Sequence, residues 1–149
     1  FEFWRLVGMA FFLNSLIMAG VWSFARRLRF YSLVDVAWSW SFIATVSMFA
    51  WLTPGWLPRK VIITALVSLW AARLGHYLFL RLRAHFPRED SRYQSLGEGY
   101  GEVAPRKFFW FFQYQAWSVV FLSSIFLVIV RNPSEEFHIL EWAGLLLWW

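Results

Sequence analysis

The sequence contains no cysteine, which excludes disulfides, thiolate metal sites and cysteine nucleophiles within this chain. Its three histidines, His76, His85 and His138, are scattered without HExxH-like spacing, so no metal site is expected. Charge is scarce: Asp, Glu, Lys and Arg make up 15% of the 149 residues, against 60% hydrophobic and 23% aromatic. With a mean hydropathy of +0.49, such a composition excludes an ordinary soluble domain. Strand-like alternation is lacking as well. The apolar residues run in blocks about 20 long, the length of a membrane helix, so a β-barrel is excluded. The fold class read from this is an all-α, polytopic integral membrane bundle.

Residues 6 to 25 are uncharged, with Asn14 as the main polar interruption, and Arg26, Arg27 and Arg29 stop the run. A second span covers residues 33 to 53 and ends in the turn-forming PGWLP, residues 54 to 58. A third runs from residue 61 to about residue 82, and a fourth from 108 to 130. After RNPSEEF a fifth helix begins near Ile139. The bundle therefore has four complete spans plus the start of a fifth. The first block has no short apolar core followed by a small-residue cleavage site, and reads as a retained helix rather than a signal peptide. The last apolar run stops at Leu147, Trp148 and Trp149, so residues 1 to 149 are expected to form a single transmembrane domain at the amino-terminal end of a longer protein.

The net charge of +5 and pI near 10.1 would suggest nucleic acid in a soluble protein; here the positive charge crowds into loops and reads as topology. Alternating the loops between the two sides groups Arg26, Arg27, Arg29, Arg81, Arg83, Arg88, Arg92, Arg106 and Lys107, leaving Arg5, Arg59, Lys60 and Arg131 opposite. The positive-inside rule then puts the amino terminus outside the cytoplasm and the long polar segment, residues 84 to 107, in the cytosol. Trp4, Trp51 and Trp56 fit an outer aromatic belt, and Trp38, Trp40 and Trp110 an inner one.

Two strong charges remain at membrane depth: Asp35, in SLVDVAW, and Arg73, in LWAARLGHYLFLRLR. An arginine at the centre of a membrane helix costs roughly 2.5–3.5 kcal/mol on insertion scales, so both residues are functional candidates. Arg73 lies about ten residues, roughly 15 Å, from the cytosolic end of its helix, and an ion pair with Asp35 is left open. Arg73, Tyr77 and Arg81 recur at i, i+4 and i+8 and form one stripe, with Trp70 and His76 beside it. The stripe is either a polar track from membrane depth to the cytosol or a structural seam.

In PREDSRYQSL, the residues Arg88, Glu89, Asp90, Arg92 and Tyr93 can hold phosphates, stack on rings and accept from hydroxyls; a solvated charged loop is the alternative. GEGYGE, residues 97 to 102, is not GxGxxG and reads as a flexible loop. Gln113, Tyr114 and Gln115 either line the same cytosolic cavity or hydrogen-bond between helices, as does Asn14.

SLVDVAWSWSF, LWAARLGHYLFLRLR and REDSRYQSL, followed by a QxQ-containing span, together resemble the steroid 5-alpha-reductase family, particularly its bacterial branch, over residues 30 to 130. The resemblance implies a bundle of about seven helices in the bacterial inner membrane, with NADPH in a cavity open to the cytosol. It implies reduction of a carbon–carbon double bond conjugated to a ketone, in a steroid or other lipid. His76–Tyr77 resembles the family's His-Tyr pair, whose tyrosine binds the substrate carbonyl. The family's glutamate partner has no counterpart here, and Asp35 is the nearest acid. Catalysis would thus fall to Tyr77, Asp35 and Arg73. The cofactor would fall to Arg81, Arg83, Arg88, Glu89, Asp90, Arg92 and Tyr93, and the lipid substrate to Trp38, Trp70, His76 and Gln113. A further Arg-His-Pro-Asn-Tyr-like segment would lie beyond Trp149, so residues 1 to 149 alone are expected to be inactive. Two alternatives stand beside this: an S-adenosylmethionine-dependent methyltransferase of the isoprenylcysteine type, and a non-enzymatic lipid-binding or structural subunit.

Overall fold

The computed structural model describes residues 2–148, among which there is no β-strand. Six helices follow one another: α1 (Glu2–Leu28), α2 (Leu33–Leu52), α3 (Leu57–His85), α4 (Ser91–Tyr100), α5 (Ala104–Val130) and α6 (Ile139–Trp148), with a 3-10 turn, Gly101–Val103, between α4 and α5. Helices α1, α2, α3 and the helical stretch containing α5 are long and apolar enough to cross a membrane. The protein is an all-α membrane bundle, and α6 begins at the expected residue.

Local sequence sets the helix ends. Pro58 and Pro105 stand in the first turns of α3 and α5, where a missing N–H costs nothing. Helix α1 closes with Arg26 and Arg27 in its last turn, favoured by the helix dipole. Arg29 then turns the chain at φ 53°, and the Phe30 N–H donates to the Ala25 carbonyl at 2.9 Å. Gly55 permits the α2–α3 turn to rest on the end of α5: a Cβ there would fall 1.8 Å from the Val130 carbonyl oxygen.

Helix α2 packs against α1, α3 and α5, and α5 packs against α1 as well, while α3 meets α5 at few points. Three apolar clusters stack along the bundle: Met18, Val34, Tyr93, Phe108 and Phe112 at the polar-segment end, Phe42, Val46, Val67 and Val119 in the middle, and Leu6, Phe49, Leu127 and Val130 at the other end. Hydrogen bonds join the helices between these layers. Asn14 Nδ2 donates to Thr45 Oγ1 at 2.8 Å, and Trp38 Nε1 to Ser118 Oγ at 2.8 Å. Gln113 Nε2 donates to the Ser15 carbonyl at 3.4 Å. Such bonds contribute about 0.6 kcal/mol each on average, enough to fix register.

The polar segment departs from expectation. Residues 84 to 107 are mostly helical: α3 continues to His85, and GEGYGE falls partly within α4 instead of forming a flexible loop. Asp90 caps α4 by accepting from the Arg92 backbone N–H at 3.0 Å. Tyr93, Leu96 and Tyr100, at helical spacing, pack into the cluster around Phe108, which offsets the helix-weakening Gly97 and Gly99. Gly101, at φ 58°, terminates the helix.

Candidate functional site

The charges of the polar segment fold onto one another and onto the start of α2. Glu89 accepts from the backbone N–H groups of Tyr31 and Ser32 and from the Ser32 hydroxyl, so its carboxylate satisfies donors at the positive end of α2. Asp90 accepts from Arg92 Nε at 3.1 Å and from Arg81 Nη2 at 3.2 Å. These guanidinium and N–H donors hold the Asp90 carboxyl below its ordinary range. Asp35 accepts from Arg92 Nη2 at 3.1 Å and from the Tyr93 hydroxyl at 2.6 Å. Tyr93 is buried, and burial together with the neighbouring Asp35 carboxylate pushes its phenol far up.

This arrangement corrects several expectations. Asp35 is engaged by Tyr93 and Arg92, and among the described residues it pairs with neither Arg73 nor Tyr77. The reason is position: α4 brings Tyr93 and Arg92 over the start of α2, whereas Arg73 sits well down α3. Glu89, Asp90, Arg92 and Tyr93 are likewise engaged in caps and mutual pairs that dock α4, while Glu89 and Asp90 also line a small cavity with Arg81 and Arg88. Trp38 and Gln113, expected to line a substrate cavity, turn into the bundle and bond to α5 and α1 respectively.

The groups left open lie along α3. Arg73, His76 and Tyr77 are exposed, Tyr77 by 63%, on a face that no described helix covers. Among the described residues Arg73 has no carboxylate within 4.0 Å, and neither the His76 ring nor the Tyr77 hydroxyl has a hydrogen-bond partner. The opposite side of α3 is tightly docked: a Cβ on Gly75 would lie 2.5 Å from Trp40 Nε1, so glycine there admits the α2 indole. The expected stripe exists, and it faces outward.

At the end of that stripe, Arg81 is half exposed despite its Asp90 contact, and Arg83 and Arg88 are exposed. A cavity of about 260 Å³ is lined by Arg81, His85, Arg88, Glu89, Asp90 and Gln94. Trp70, on the membrane side, stacks edge-on against Phe42 with centroids 5.4 Å apart and lines an apolar cavity of about 720 Å³ among α3, α5 and α6.

Sequence reasoning missed the most buried arginine. Arg59, counted there as a loop cation, is 1% exposed. Its guanidinium donates to both Glu141 oxygens, at 2.6 and 3.2 Å, and to the carbonyls of Asn132, Ser134 and Glu136 at 3.2, 2.6 and 2.6 Å. The rings of Trp56 and Phe137 lie 5.3 and 5.4 Å from it. Helix α6 buries no side chain and has no close backbone approach to another helix, so this cage is its main anchor. The only signal was a shared side: Arg59, the carbonyl-rich RNPSEEF and Glu141 all fall at the same end of the bundle.

No curated protein and no solved structure matches the chain. One family of proteins of unknown function, DUF1295, matches residues 21–149, which include α2 to α6, the capped polar segment and the open face of α3. The chain belongs to the DUF1295 family.

Proposed function

We propose that the full-length protein is an NADPH-dependent membrane reductase that saturates the carbon–carbon double bond of an enone lipid, such as a 3-oxo-Δ4-steroid. One observation carries the reading. A phenol and a guanidinium, Tyr77 and Arg73, stand one helical turn apart at membrane depth with no partner among the described residues, on an open face of α3. Donors in an apolar setting are costly unless something accepts from them, and a lipid carbonyl is an acceptor that arrives through the bilayer. The resemblance of His76–Tyr77 to the His-Tyr pair of the steroid 5-alpha-reductases points the same way.

The residues present suit the phosphates of NADPH. The guanidinium groups of Arg83 and Arg88 have no acceptor among the described residues, and Arg81 keeps half of its side-chain surface open. The cavity lined by Arg81 and Arg88, at about 260 Å³, is smaller than the roughly 300–1,000 Å³ of whole-ligand pockets, so it suits a phosphate and adjoining sugar rather than the entire dinucleotide. When bound, the cofactor supplies a hydride to the β-carbon of the enone and is oxidised. Tyr77 donates a hydrogen bond to the enone oxygen and stabilises the negative charge that collects there. Arg73, one turn away, adds a positive charge that favours the same oxyanion. A proton taken from solvent water at the open, basic end of the bundle then adds to the α-carbon of the enolate and completes the saturated ketone, leaving hydroxide that the aqueous buffer neutralises. Asp35 serves as a positioning residue for α4 in this scheme.

The basic end of the bundle is proposed to face the cytosol of a bacterial inner membrane, where NADPH is available. The test compares the full-length protein with its Tyr77→Phe variant. Turnover of an enone lipid should fall by about 100-fold, in the range typical of lost oxyanion donors, while NADPH binding stays within twofold. Unchanged turnover removes Tyr77 from the chemistry, and binding of S-adenosylmethionine in place of NADPH replaces the reading with methyl transfer.

A further inference from the structure

The α1–α5 edge of the bundle, away from α3, carries a second cluster of charge and aromatic surface. Trp22 Nε1 donates to the Pro105 carbonyl at 2.9 Å, which ties the last turns of α1 to the first turn of α5. Beside this bond lies a cavity of about 560 Å³ lined by Trp22, Arg26, Glu102, Pro105, Arg106 and Trp110, among others. Arg26 and Arg106 are exposed, and among the described residues neither has a carboxylate within ion-pair distance; Glu102, the acid in the lining, is no closer. The Arg26 guanidinium lies 5.5 Å from the Trp22 ring, and Trp22 packs edge-on against Phe109 at 5.1 Å.

One local rule is broken here. Arg106 and Lys107 stand in the first turn of α5, where the helix dipole is positive, and no acid accompanies them in that turn. Lys107 lies 4.8 Å from the Tyr100 ring, whereas Arg106 faces the open cavity. Arg106, placed against the dipole with no carboxylate within 4.0 Å although Glu102 lines the same cavity, marks a place where the anion comes from elsewhere. The indoles define its source. Trp110 is 51% exposed, and with Trp22 it lines the same cavity as the guanidinium groups, an aromatic floor of the kind found at membrane–water boundaries.

We propose that this edge binds an anionic phospholipid, with the lipid phosphate held between Arg26 and Arg106 and its glycerol and upper acyl chains lying over Trp22 and Trp110. Guanidinium groups match phosphate geometry, and basic pockets between membrane helices take anionic headgroups. A free inorganic anion would use the arginines and leave the aromatic floor without purpose. The site is separate from the α3 face and does not depend on the reductase reading.

The experiment titrates the full-length protein with phosphatidylglycerol or phosphatidylcholine and counts retained lipids by native mass spectrometry. The wild type should prefer phosphatidylglycerol. Arg26→Gln and Arg106→Gln should each weaken that preference about fivefold, as expected for one cation at a lipid surface. The double Lys variant, which keeps both charges, should retain most of it and shows that the loss is not misfolding. Equal retention by the wild type and the double Gln variant overturns the site. So does an equal loss in Arg83→Gln, since that arginine lies off this edge, or displacement of the lipid by millimolar inorganic phosphate.

Discussion

Two arginines show how differently one residue type can be used in a membrane bundle. Arg73 was legible from the sequence as a charge at membrane depth, but its surroundings were not, because period alone does not say which neighbours cover a helix face. It faces outward without an ion pair among the described residues, whereas Arg59 is enclosed by Glu141, three carbonyls and two aromatic rings. That cage was not legible, since its acceptors are backbone carbonyls some 75 residues away, which no side-chain pattern reveals. Removing one partner of a buried ion pair costs about 3–5 kcal/mol, and because Glu141 keeps 27% of its side chain exposed the loss here falls toward the lower end. Arg59→Ala should therefore lower the thermal unfolding midpoint in detergent substantially and expose α6 to proteolysis. Arg5→Ala, which loses only an exposed contact of 3.9 Å to Glu2, should leave both unchanged. Equal, small effects from the two substitutions would remove Arg59 from its anchoring role.

The four long helices were legible because twenty-residue apolar blocks leave little choice, and their ends fell within a few residues of the prolines and arginines that set them. Helix α4 was not, although its parts were visible: Asp90 in a capping position, then Tyr93, Leu96 and Tyr100 at helical spacing. Two glycines and a high charge density masked that pattern, and packing on Phe108 overrode them. The acidic residues assigned to a cofactor also serve as caps and ties, for the same physical reason that made them attractive: carboxylates accept from N–H groups and guanidinium groups alike. Asp90 has a depressed pKa in the folded state, so its stabilisation of α4 is complete above the ordinary carboxylate range and is lost as the pH falls through the depressed value. Amide hydrogen exchange over residues 91 to 100 should accordingly rise relative to α5 as the pH is lowered below about 4, after correction for the intrinsic rate. Asp90→Ala should produce the same rise at neutral pH, a loss of about 1 kcal/mol for the missing cap. Protection that does not change in either case would mean that α4 is held by its apolar face alone.

The bundle as a whole divides its polar chemistry between faces. The α1–α2–α5 side is closed by apolar layers and interhelical hydrogen bonds, with the Arg26–Arg106 edge at its boundary, whereas α3 keeps Arg73, His76 and Tyr77 open above an arginine-rich end. The stripe could be read from the sequence because helical period is a property of one segment. Its separation from Asp35, Trp38 and Gln113 could not, because that depends on how α2 and α5 turn within the bundle. Isotope transfer tests directly the enone reduction proposed for this open face. The full-length protein in bilayers is incubated with hydride-labelled, deuterated NADPH and an enone lipid, and the extracted lipid is analysed by mass spectrometry and NMR. Enone reduction predicts one deuterium at the β-carbon, loss of the double bond, and both effects slowed about 100-fold in Tyr77→Phe. A lipid that keeps its double bond and carries no deuterium, under conditions where the protein binds NADPH, would contradict it.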